Sequence, residues 1–83
     1  MYKPDKNTTE AYAKSGIHEY YGKAPAGVLT TVAQWSIFKM EYTGDNWIIK
    51  YPVDSITSLG TDAPKFKWSE VLTLTYAILG TRA

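Results

Sequence analysis

Between Thr30 and Thr43 the chain is rich in β-branched and aromatic side chains, the composition of a strand. The alternation changes parity partway along. Trp35 and Ile37 occupy odd positions, whereas Phe38, Met40 and Tyr42 occupy even ones. Lys39 and Glu41 then stand where Trp35 and Ile37 pointed. A half-buried strand keeps one parity, so two readings are open. Either a bulge near Ile37–Phe38 flips the register, or both faces of a regular strand are covered over part of its length.

Thr43-Gly44-Asp45-Asn46 follows as a turn, built from residues that tolerate positive φ. Trp47 to Tyr51 read as the return strand, limited by Pro52, which cannot donate to a ladder. Residues 53–64 are loop-like. From Lys65 to Leu79 the alternation is clean: Phe66, Trp68, Leu72, Leu74, Tyr76 and Ile78 share one parity, broken by Glu70. This predicts a half-buried strand, or two short ones with a kink at Ser69–Glu70.

Residues 1–29 differ, with Pro4, Pro25, Gly16, Gly22 and Gly27 and few aliphatic side chains. Thr8 or Thr9 can cap a short helix ending at Ser15–Gly16, but about six residues make a marginal helix, and an extended arm is an equal reading. The expected fold class is therefore all-β. Residues 1–29 form an extended or briefly helical N-terminal arm with a Gly/Pro loop. Residues 30–83 form an antiparallel meander or sandwich-like sheet of about three to five strands, counting short pieces.

Composition sharpens this picture. A chain of 83 residues is one domain with a small core. It has no cysteine and one histidine, which excludes disulfides, thiolate chemistry and a multi-His metal site within one chain. Association is the remaining usual supplement to a small core. The formal net charge of +1 gives no basic nucleic-acid surface. No apolar run approaches a membrane span, and the N-terminus does not read as a secretory signal. Three Trp, seven Tyr and two Phe suit strands and interfaces.

Convergent chemistry is not legible. His18 and Glu19 are adjacent, and neighbours on an extended chain point apart. Asp54 and Asp62 flank a loop, where solvated charges are the ordinary reading. Lys65-Phe66-Lys67-Trp68 interleaves base and aromatic, but alternation sends them to opposite faces, which a single-strand stacking platform does not want. No catalytic, cofactor-binding or metal-ligating residue is therefore assigned. Tyr2, Tyr12, Tyr20, Tyr21, Trp35, Trp47 and Tyr51 are the interface candidates, Tyr losing little entropy for the area it buries.

Tyr21-x-x-Ala24-x-x-Gly27, then Trp35-x-Ile37, then Tyr42-x-Gly44-Asp45-Asn46, then Trp68 and the alternating Leu74-Thr75-Tyr76 resemble a group of small bacteriophage virion proteins. The likeness spans about residues 19–77. It departs at Phe38, where the pattern has a basic residue, and in the short Phe66–Trp68 spacing. It implies a non-enzymatic structural role in the virion, as a capsid decoration, head fibre, collar or tail component. The implied partners are further copies of the chain, as a homo-oligomer, or a larger capsid or tail protein. No cofactor, membrane, nucleic-acid or small-molecule partner is implied. The alternative expectation is a small β-barrel module binding glycan or single-stranded nucleic acid on converging, partly exposed aromatics.

Overall fold

The structure is a computed structural model that describes residues 7–83. Five antiparallel strands form one open sheet in which sequence order is spatial order: β1 (Thr8–Ser15), β2 (His18–Pro25), β3 (Ser36–Thr43), β4 (Asn46–Pro52) and β5 (Tyr76–Ala77). The all-β meander expected from the sequence is present. It is extended at its N-terminal end, because residues 8–25 are the first hairpin of the sheet and not a separate arm or a brief helix.

Two-residue turns close the β1–β2 and β3–β4 hairpins. Ser15 pairs with His18 around Gly16–Ile17, and Thr43 pairs with Asn46 around Gly44–Asp45. Gly16 and Gly44 have φ of +62° and +60°, the first-position glycine that a tight hairpin turn of the II′ kind requires.

The pairing of β3 with β2 runs without interruption from Ser36 to Glu41, through Ile37, Phe38 and Lys39, and β4 pairs regularly from Lys39 to Thr43. The parity change is therefore not a bulge. β3 is a regular strand carrying apolar side chains on both faces, in different halves.

On one face, Ala11, Ala13, Tyr20, Gly22, Ala24, Trp35, Ile37 and Tyr76 point to the core. Apart from Tyr20, the sheet residues of β1 and β2 are small there because the large side chains come from a strap. Phe66, Trp68, Val71 and Leu74 lie across them. Trp35 and Phe66 exchange backbone hydrogen bonds at 2.9 and 3.2 Å, and the Trp35 and Trp68 rings meet at 5.9 Å. Trp35 Nε1–H donates to the Leu29 carbonyl at 3.0 Å, so its polar edge is satisfied in the core. Tyr76 donates its hydroxyl to the Val71 carbonyl at 2.6 Å.

The strap corrects the expected strand over 65–79. Residues 68–70 are a short 3₁₀ turn, and regular pairing returns only in β5, two residues long. Ser69 N–H donates to the Thr30 carbonyl at 3.0 Å, fixing the bend where the kink was expected. The inward residues Trp68, Val71 and Leu74 are spaced by three, as a turn demands, while Leu72 and Ile78 are exposed. Beyond β5, the chain folds back on the 53–60 loop through bridges Leu59–Arg82 and Gly60–Leu79.

Candidate functional site: an open aromatic face

The second face of the sheet carries what β3 places on its even positions. Register brings Tyr12 beside Tyr21 and Tyr21 beside Phe38, and Tyr51 of β4 continues the row. Ring centroids are 5.2 Å apart for Tyr12–Tyr21, 5.0 Å for Tyr21–Phe38 and 6.3 Å for Phe38–Tyr51. The Tyr21 and Phe38 rings are stacked, their planes nearly parallel at 19°. Met40 paired with Ile49, and Tyr42 paired with Trp47, extend the same face towards the β3–β4 turn. No described strand or loop forms a layer over this row, and Tyr12 and Trp47 are both 55% exposed. Along the row lies a groove of about 340 Å³, with Glu10, Lys23, Ser36 and Asp62 around the aromatic floor.

Glu19 holds part of the row in place. Its carboxylate accepts hydrogen bonds from Tyr21 at 2.5 Å and Tyr12 at 3.1 Å. These bonds, that from Tyr21 foremost, keep the Glu19 carboxyl below its ordinary value, and Lys14 adds to the effect. The reciprocal effect pushes the Tyr21 hydroxyl from 10.0 up to about 12, the hydrogen bond to Glu19 being the main cause and burial the next. The signs follow by linkage. The lowered Glu19 contributes stability above its ordinary value of 4.5 that is lost as pH falls. The raised Tyr21 contributes stability present below pH 10.0 and lost as pH climbs through about 12. In the Glu19→Gln variant the Tyr21 pKa is expected to fall by about one unit or more, followed by NMR of the ring carbons during alkaline titration. A Tyr21 that still titrates near 12 would show that Glu19 does not anchor it.

The other face is closed chemically as well as sterically beyond Ile37. Lys39 and Lys50 reach Glu41 at 2.6 and 3.1 Å, and Lys39 lies 5.0 Å from the Tyr76 ring centre. Lys39, then Lys50, keep the Glu41 carboxyl low. Lys39 and Glu41 thus occupy the positions Trp35 and Ile37 began, as an ion-paired continuation of the core side.

The interface candidates divide between the two faces. Tyr12, Tyr21 and Tyr51 belong to the row, and Trp47 lies at its turn end. Tyr20 and Trp35 are core residues, 7% and 2% exposed. Tyr2 lies outside the described residues. Phe38, Met40 and Glu19 were not among the candidates, and they complete the face. Phe38 and Met40 were signalled by the parity change, whereas Glu19 becomes visible only once the β1–β2 register is known.

His18 and Glu19 are on opposite faces. Asp54 is paired with Lys65 at 2.7 Å, which lowers its carboxyl, while Asp62 stands at the aromatic groove. Phe66 and Trp68 turn inward, and Lys65 and Lys67 are exposed. Among the described residues there is no cluster of three or more His, Asp or Glu suited to a metal ion, and no helix long and apolar enough to cross a membrane.

The class defined by fold and site is thus an open five-stranded all-β meander with one strapped face and one aromatic face. Comparison with protein-family models, curated proteins and solved structures finds no match to this chain.

Proposed function

We propose that the chain is a non-enzymatic assembly module, a structural component of a phage particle, that docks its aromatic face onto a larger shell or tail protein. The observation that carries this reading is the Tyr12–Tyr21–Phe38–Tyr51 row, continued by Met40, Ile49 and Trp47 and left uncovered by the described chain. Aromatic residues and Met are enriched at protein interfaces, and rings already held in place lose little freedom on docking. The sequence resemblance to small virion proteins supplies the particle.

Incorporation into purified virions tests it, read by quantitative mass spectrometry. The unaltered chain is expected in the particle. Phe38→Ser, at the middle of the row, is expected to lower incorporation by more than about tenfold, the loss typical of a central aromatic anchor. A matching far-UV spectrum and melting profile would show that the variant is folded. Absence of the chain from particles, or undiminished incorporation of folded Phe38→Ser, overturns the reading.

A second reading has its own observation. The stacked Tyr21–Phe38 pair beside Glu10, Lys23 and Asp62 sets aromatic surface against polar edges, which suits a sugar ring. Against it, Tyr12 and Tyr21 commit their hydroxyls to Glu19, leaving fewer groups to meet sugar hydroxyls. Titration with neutral oligosaccharides, followed by aromatic fluorescence, separates the two: saturable binding abolished by Phe38→Ser favours the glycan.

A further inference from the structure

The aromatic row runs across the strands, with one ring from each of β1 to β4. Neighbouring strands lie about 4.8 Å apart, so points two strands apart are separated by about 9.6 Å. A polyproline II helix has about three residues per turn and advances about 9.3 Å in each. A segment in that form, laid across the sheet, meets equivalent points of the row with residues i and i+3.

The row supplies two such points. Its middle pair, Tyr21 and Phe38, is stacked at 19°. The pairs on either side are tilted, Tyr12–Tyr21 by 47° and Phe38–Tyr51 by 49°. Stacked rings close the space between them, whereas tilted rings diverge and leave a wedge. Two wedges thus flank a central ridge, two strands apart.

We propose that the segment docking on this face is proline-rich and in polyproline II form. One proline rests against Tyr12 and Tyr21, and the proline three residues on rests against Phe38 and Tyr51. The proposal rests on the docking reading above and names the chemistry of the partner's segment.

The backbone points to the same ligand. β2, β3 and β4 are paired on both sides within the sheet, so the row offers side chains and no free main-chain ladder. An ordinary extended segment would bury its N–H groups against rings that pair poorly with them. Proline brings no N–H, and a polyproline II segment needs no backbone pairing and is ordered before it binds. Its carbonyls can accept from the Lys23 ammonium and the Tyr51 hydroxyl. Both stand at the groove, and neither is hydrogen-bonded among the described residues.

One charge at the groove is unanswered. Thr61 N–H donates to the Pro52 carbonyl at 2.9 Å, and the Ser36 hydroxyl donates to the Asp62 carbonyl at 3.0 Å. These bonds hold Asp62 near the Phe38–Tyr51 wedge, exposed and in no ion pair among the described residues. Glu10, also at the groove, already has an interaction of its own. A basic residue at the end of the proline segment therefore belongs beside Asp62.

Titration of the full chain with decaproline, and with decaproline carrying one terminal arginine, tests this by amide NMR. Saturable shifts centred on the row are expected. The arginine peptide is expected to bind about two- to fivefold more tightly, the size of an exposed ion pair, and Asp62→Asn to erase that advantage. A glycine–serine peptide of equal length and charge is expected not to bind. Phe38→Ser is expected to weaken binding about tenfold or more. Tyr12→Ser, at a ring 55% exposed, weakens it in a variant whose core is untouched. A melting profile accompanies each variant.

No saturable binding of either proline peptide at about millimolar concentration, the weak end of specific recognition, overturns the proposal. So does equal binding of the glycine–serine peptide, or binding that folded Phe38→Ser and Tyr12→Ser retain in full. Phe38-dependent incorporation into particles without decaproline binding overturns this proposal and leaves the docking reading standing. Decaproline binding without incorporation keeps the proline-binding face and removes the particle.

Discussion

Trp35→Ala is expected to leave the chain largely unfolded at room temperature, with the far-UV signal of the sheet lost. Trp35 is 2% exposed and joins three parts of the molecule. Its backbone pairs with Phe66, its ring meets Trp68, and its indole N–H reaches the Leu29 carbonyl. Removing a buried aromatic side chain costs about 3–5 kcal/mol. The core of a domain this small supplies a net stability of roughly the same size. The truncation also leaves the Leu29 carbonyl without that donor. Urea denaturation followed by circular dichroism measures the outcome. A variant that unfolds within about 1 kcal/mol of the parent chain would remove Trp35 from its central place, since losses that small are ordinary for surface changes.

Gly22→Ala is the second large effect, and it is a matter of space. A β-carbon at Gly22 would lie 2.5 Å from Trp68 Cε3, 2.7 Å from Trp68 Cζ3 and 3.1 Å from Trp35 Cε3. Both rings sit in the core layer and neither has a flexible end to swing aside. Glycine inside a strand often marks such a close approach. Forcing a methyl group into a packed core costs typically about 1–3 kcal/mol. The distinctive expectation is coupling. In a background of Trp68→Ala, which is itself destabilising, the added cost of Gly22→Ala should nearly vanish. A double-mutant cycle on unfolding free energies then shows an interaction of about 0.5–3 kcal/mol. Simple additivity would mean that the strap does not rest on Gly22.

The same small residues explain which strands were legible. β3, β4 and their turn are written in β-branched and aromatic residues around Gly44–Asp45, and they fold where the pattern places them except that β3 begins at Ser36, the Thr30–Gln34 stretch being turn and bend. β1 and β2 show their inner face as Ala11, Ala13, Tyr20, Gly22 and Ala24, and their outer face as Tyr12 and Tyr21. All four charged residues of that hairpin, Glu10, Lys14, Glu19 and Lys23, lie on the outer face with Tyr12 and Tyr21, but Ala and Gly make the inner face a weak strand signal. Gly16 compounds this, because a positive-φ glycine serves a helix end as well as a hairpin turn.

The C-terminal segment misleads in the opposite direction. Its period-two pattern is genuine in the sequence, yet Trp68, Val71 and Leu74 also recur every three residues, and the bend fixed at Ser69 selects that spacing. The site was half legible. The parity change in β3 correctly announces two apolar faces. Separating core aromatics such as Tyr20 from surface ones such as Tyr21 needs the register of β2 against β3.

The two margins of the sheet are unequal. β1 is eight residues long, whereas β5 is two residues long and is followed by a tail that bridges back to Leu59 and Gly60. On the β5 side there is almost no ribbon to template another strand, so that margin is sealed against end-to-end stacking of sheets.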